Sequence, residues 1–96
     1  MAAGPAEAIA DFVITAHAAL EMRRRGMDED TVRSVLIAPG QRVEARPGRV
    51  IAQSRIQLGD PPKAFLLRVF VDVDRQPAEV VTAYRTSKIE KYWRQP

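Results

Sequence analysis

The chain has 96 residues, 46% of them hydrophobic and 28% charged, and a net charge of +3; this is the size of one small domain and the composition of a folded protein. It has no cysteine and a single histidine, which excludes a disulfide framework, a thiolate zinc centre, a cysteine nucleophile and a polyhistidine metal site. Basic residues gather at 23–26, 42–49 and 85–94 against an acidic cluster at 28–30, a segregation suited to phosphate-bearing partners.

Residues 1–10 are Ala-rich and read as a flexible N-terminus, leaving 11–96 as a single domain. The opening has neither a basic start nor a long apolar core, and no later run reaches membrane-spanning length, so a cytoplasmic protein with no membrane partner is expected. "DFVIT" (11–15) is a short β-capable run ending in Thr15, a suitable helix N-cap. Over 16–26, Ala16, Ala19, Leu20 and Arg23 share one side at helical spacing, and Gly26 suits the stop. Asp28 caps the next helix, Glu29 and Asp30 fit its first turn, Val32, Val35 and Leu36 form its apolar stripe, and Pro39 ends it. The two helices read as a hairpin.

From residue 41 the hydrophobic period changes to two. "QRVEA" and "RVIAQSRIQ" flank Arg46-Pro47-Gly48-Arg49, in which Pro47 sets the first turn position and Gly48 supplies the positive φ of a type II turn. "LGDPPK" (58–63) is a loop, and "AFLLRVFVDV" (64–73) reads as the central strand, with Phe65, Leu67, Val69, Val71 and Val73 on one face. "EVVTAYR" (79–85) completes an antiparallel meander of about four strands. Ser87 followed by Glu90 has the spacing of a capping box, which starts a short C-terminal helix at Lys88 with Ile89, Tyr92 and Trp93 facing inward. The fold class is therefore α+β.

Two segments carry a resemblance. Thr15, His17, Arg23, Arg25 and Gly26 fit an opening pattern T-x-H-a-x-x-x-M-x-x-R-G, and "VVTAYRTSKIEKYW" fits a closing V-x-T-x-Y-x-T-S-K-x-x-K-Y-W. Over residues 12–93 the chain resembles the RelE-like toxin superfamily, in particular the small domain-of-unknown-function family near the BrnT-type and RelE/ParE-type toxins. The resemblance implies a RelE-like fold, metal-independent endoribonuclease activity without cofactor, RNA (including ribosome-bound mRNA) as ligand, and an acidic antitoxin as partner. It implies Tyr84, Arg85 and Lys88 as site residues; ParE-type relatives poison gyrase instead.

Metal-free RNA cleavage needs a base for the 2′-OH proton, an acid for the departing 5′-oxygen and cations for the phosphorane. His17 is the one side chain of the type that exchanges protons near neutral pH, or else a half-buried imidazole bonded to a backbone carbonyl. Arg23 and Arg25 are phosphate ligands, or solvated cations complementing the end of their helix. Arg49, Gln53 and Arg55 share a strand face that is a phosphate track or simply wet. Arg68, inside the most apolar strand, points to solvent or into a site where it must be paired. Tyr84, alternating with Val80 and Thr82, is a core aromatic, a base-stacking surface or a proton carrier. Thr86 and Lys91 are further phosphate contacts, while Tyr92 and Trp93 have the spacing of core residues. Arg85 and Lys88 place two cations at a helix N-terminus, which disfavours them unless an anion is seated there. The catalytic set is then His17, Tyr84, Arg85 and Lys88, in a toxin-like endoribonuclease; the alternative is a non-catalytic module that binds nucleic acid or a gyrase-type protein.

Overall fold

The structure is a computed structural model that describes residues 6–95. Its elements run β1 (Phe12–Ile14), α1 (Ala16–Arg24), α2 (Glu29–Ile37), β2 (Gln41–Arg46), β3 (Arg49–Leu58), β4 (Lys63–Asp72), β5 (Ala78–Thr86) and α3 (Ile89–Tyr92), an α+β fold. The strands form one sheet in the order β1-β5-β4-β3-β2, with β4 at its centre. β2 to β5 are the expected antiparallel meander, but β1 adds a fifth strand parallel to β5, with Phe12 opposite Ala78 and Ile14 opposite Val80. The sheet is therefore mixed, not a four-stranded antiparallel one. A strand whose next neighbour in sequence is a helix cannot close a hairpin; β1 finds its partner across the whole chain.

Local signals set both helices. The Thr15 hydroxyl accepts from Ala18 N at 3.1 Å, and α1 ends in a Schellman turn in which Met27 N donates to Met22 O at 2.8 Å and Gly26 takes φ 64°. Asp28 caps α2, accepting from Asp30 N at 3.1 Å. The buried side of α1 is Ala18 and Met22, whereas Leu20, assigned to the apolar side from its spacing, is 43% exposed. The small Ala18 lets α1 settle closely, and Met22, fully enclosed one turn later, fills the space beyond it. The two helices do not form the hairpin read from the sequence: each packs on the sheet rather than chiefly on the other, α1 on β5 and α2 on β3 and β4.

One face of the sheet, carrying Val50, Ala52, Leu67, Val69, Val71, Val80 and Ala83, closes the core against Ala18, Met22, Val32, Val35 and Leu36. Ile9, read as part of a flexible N-terminus, joins this core, its amide donating to Leu36 O at 2.8 Å. Residues 1–5 of that stretch lie outside the described residues. Gly48, with φ 85°, makes the expected turn between β2 and β3.

β5 contains an irregularity that decides where the later side chains point. Val71 pairs with Val80 but Phe70 pairs with Thr82, so Val81 is one residue too many for the ladder. Such a bulge reverses the side on which every following residue falls. Tyr84 consequently leaves the face of Val80, to which simple alternation assigns it, and lies opposite Arg68 on the face away from the helices.

Candidate functional site

Beyond Val80, β1 no longer covers β5, and the end of α1 takes over its edge. Arg25, just past the last turn of α1, donates from Nη1 to Ala83 O at 2.7 Å and from Nη2 to Glu21 Oε2 at 3.2 Å. Glu21 Oε1 accepts from the Thr82 hydroxyl at 3.0 Å and faces His17 Nε2 at 3.3 Å. The Glu21 side chain is 24% exposed and the His17 side chain 72%. His17 is thus a solvent-reachable imidazole held by a carboxylate, not a half-buried one on a backbone carbonyl. Arg85 Nη1 reaches Arg25 O at 3.4 Å, and Arg25, Tyr84 and Arg85 line one shallow depression.

Glu21 was not singled out from the sequence, although the signal is present: it lies four residues after His17 and four before Arg25, the spacing at which helical side chains meet. Its carboxylate touches imidazole, guanidinium and hydroxyl at once, so it fixes His17 and Arg25 relative to the β5 edge.

Across the open face of the sheet runs a second arrangement. Gln41, Gln53, Arg68 and Tyr84 are successive cross-strand partners on β2, β3, β4 and β5. Gln53 Nε2 donates to Gln41 Oε1 at 2.8 Å, Arg68 Nε to Gln53 Oε1 at 2.9 Å, and Arg68 Nη1 to the Tyr84 hydroxyl at 2.6 Å. The chain after β5 folds over this row. Gln53 Nε2 also donates to Tyr92 O at 3.1 Å, and Gln41 bonds both backbone groups of Arg94, at 2.6 and 3.0 Å. Gln53 is fully buried beneath this cover, so the strand face expected to be wet at that point is sealed. Arg68 is likewise buried, with 9% exposure, rather than standing free in solvent.

The remaining predicted residues disperse. Arg49 is engaged: its Nε and Nη2 bond Asp72 at 2.6 and 3.1 Å, and this hydrogen bond holds the Asp72 carboxyl below the usual carboxylate range. It is an ion-pair partner rather than a free phosphate ligand. Arg55 stacks on Trp93, 4.7 Å from the ring centroid, and Arg23 is exposed in the last turn of α1. Tyr92 and Trp93 are half-buried cover for the open face, not core beneath the helices. The Lys91 ammonium, and after it the Tyr84 hydroxyl, hold the Tyr92 phenol below its ordinary value.

The expected capping box does not form. α3 is a single turn beginning at Ile89, the residue at its N-cap is Lys88 with no side-chain cap, and it is the Thr86 hydroxyl that accepts from Lys88 N, at 3.0 Å. Thr86 lies at the strand end and bonds two residues ahead, a local turn that competes with a cap at Ser87. One turn of helix also carries little dipole, which removes the basis for a phosphate seat at Lys88. Lys88 and Lys91 line a separate depression with Ser87, Ile89 and Glu90, apart from the one shared by Arg25, Tyr84 and Arg85.

A further depression along β2 is lined by Glu7, Arg42 and Glu44 among others, charges of both signs. Among the described residues no group of three or more His, Cys, Asp or Glu side chains is placed to hold a metal ion, and no helix is long and apolar enough to cross a membrane. Neither the curated proteins nor the solved structures contain a match to the chain. One family model, described as a domain of unknown function (DUF4258), matches residues 14–85 and so takes in α1 with its Glu21 cluster and nearly all of β5. The match covers well over half of the chain, which therefore belongs to the DUF4258 family.

Proposed function

We propose that the chain is a toxin-like, metal-independent endoribonuclease that seats an RNA phosphate at the free edge of β5. The observation that carries this reading is the Glu21 carboxylate, which joins His17 to Arg25 beside the depression that Arg25 shares with Tyr84 and Arg85. In this arrangement Arg25 and Arg85 neutralise the phosphate and the charge that grows on the phosphorane. His17 takes the proton of the 2′-hydroxyl as that oxygen attacks phosphorus, and Glu21 orients the ring. The 2′-oxygen to phosphorus bond forms, the bond from phosphorus to the 5′-oxygen breaks, and the Tyr84 hydroxyl gives its proton to the leaving oxygen. Lys88 has no part in this step. The similarity of the two terminal motifs to RelE-like toxins supports the same reading, and an acidic antitoxin-type protein is the partner whose charge suits the basic edge.

The test is incubation of the purified protein with ribosome-bound and free structured RNA in the presence of a chelator. Cleavage is expected, and its loss in His17→Ala and Arg85→Ala with folding retained. Undiminished cleavage in both variants refutes the site. A second reading, a non-catalytic module that grips nucleic acid or a gyrase-type protein, is favoured by one observation: Arg25 Nη1 and the Tyr84 hydroxyl are already bonded within the protein. RNA binding without cleavage, or growth arrest without either, would select it.

A further inference from the structure

Arg68 is the one buried charged side chain among the described residues, and it has no counter-ion. The ion pairs of the structure involve other residues, and Asp72, the acidic residue of its own strand, is committed to Arg49. Arg68 Nε and Nη1 are spent on neutral acceptors, Gln53 and Tyr84, while Nη2 has no hydrogen-bond partner among the described residues. Among the described residues every enclosed side-chain nitrogen or oxygen has a partner, so Nη2 is a group that solvent still reaches. Ring faces supply the rest of the surroundings, with Tyr92, Phe70 and Tyr84 centroids 4.1, 5.5 and 5.7 Å from the guanidinium carbon. Neutral acceptors and aromatic quadrupoles recover only part of what a guanidinium loses on leaving water. Gln53, itself fixed by Gln41 and Tyr92 O, holds the charge in place at this cost.

We infer that Arg68 is a phosphate-binding residue, and that the half-buried Phe70 and Tyr84 beside it offer ring surface to the attached base. Tyr84 connects this position to the β5 edge, since its hydroxyl bonds Arg68 while the residue also lines the depression of Arg25 and Arg85. The ligand class is single-stranded RNA, one phosphate at the edge and a neighbouring one at Arg68; this identification of the ligand rests on the function proposed above. A guanidinium with its Nε and one Nη already anchored presents the remaining Nη to an anion without further ordering of the side chain.

The test follows the Arg68 Nε–Hε resonance of the wild-type chain by NMR, together with fluorescence of Trp93, the only tryptophan. The probes are inorganic phosphate and a short single-stranded oligoribonucleotide at low salt. Both are expected to shift the Arg68 resonance. Arg68→Gln, which removes the charge but keeps a donor for Gln53, is expected to bind the oligonucleotide about tenfold more weakly, as loss of one charge-assisted hydrogen bond implies. Arg68→Lys keeps most of the affinity. Arg24→Ala, an equal loss of charge on the exposed end of α1, changes it less than about twofold. An Arg68 resonance that stays still in both titrations overturns the inference, whatever the variants do, as does an Arg68→Gln protein that binds like wild type. RNA binding that depends on Arg85 with a silent Arg68 sinks this inference and leaves the proposed function standing. A response to phosphate without RNA binding does the reverse.

Discussion

Glu21→Gln separates the two duties assigned to the carboxylate. The amide keeps the shape of the side chain and still accepts from the Thr82 hydroxyl, now bonded to Glu21 Oε1 at 3.0 Å. What is lost is the negative charge facing Arg25 at 3.2 Å and His17 at 3.3 Å. These partners are 42% and 72% exposed, so solvent screens both pairs and together they contribute about 1 kcal/mol. For a domain of this size such a loss lowers Tm by about 4–8 °C. Binding moves the other way. Removing a unit negative charge from the Arg25 guanidinium that is to hold the phosphate strengthens the attraction by about 1 kcal/mol near the surface, or about fivefold in Kd. Cleavage falls, because His17 no longer has a carboxylate to orient it. Calorimetric melting, titration with a short RNA in low salt and a chelator-treated cleavage assay measure the three quantities. A variant that binds RNA more weakly, or cleaves as well as wild type, refutes the role given to Glu21.

The Asp72 carboxyl is held below its unfolded value by Arg49, so its contribution to stability is full above about pH 4 and is lost as pH falls from there toward the folded value. Asp72→Asn should flatten that part of the acid-unfolding curve followed by circular dichroism. Arg49→Ala should lower Tm while leaving RNA affinity at the β5 edge within about twofold, since Arg49 lies in an ion pair and not in the site. Ser87→Ala should change stability by less than about 0.5 kcal/mol in urea unfolding, because Ser87 caps nothing. Thr86→Val, which removes the acceptor of Lys88 N, should cost about 1 kcal/mol.

What could be read from the sequence was local. Thr15, Gly26, Asp28 and the Pro47-Gly48 turn each act on a neighbour within five residues, and all four are where their chemistry predicts. The stripe of α2 was legible because Val32, Val35 and Leu36 are large and apolar, whereas in α1 alanines occur on several sides and only packing on β5 selects Ala18. The partner of β1 lies more than sixty residues away and leaves no mark in either strand. Arg25 and Arg85 entered separately, through the opening and the closing motif, and only the fold brings them to one depression. Lys88 was assigned on a capping box that Thr86 pre-empts. Arg68 could not be placed at all without knowing that residues 92–94 return over β3 and β4 to cover it.

Val81 gives the candidate site its address. It is half-buried, it bears no polar group, and it touches none of the chemistry, yet it is the spacer that turns Tyr84 toward Arg68 and Arg85 toward the end of α1. Were Val81 instead paired in register with Phe70, the two sides would exchange: Tyr84 would be driven in among the core valines and Ala83 set opposite Arg68. A slip of one residue in this ladder would therefore erase the site while retaining every residue that forms it.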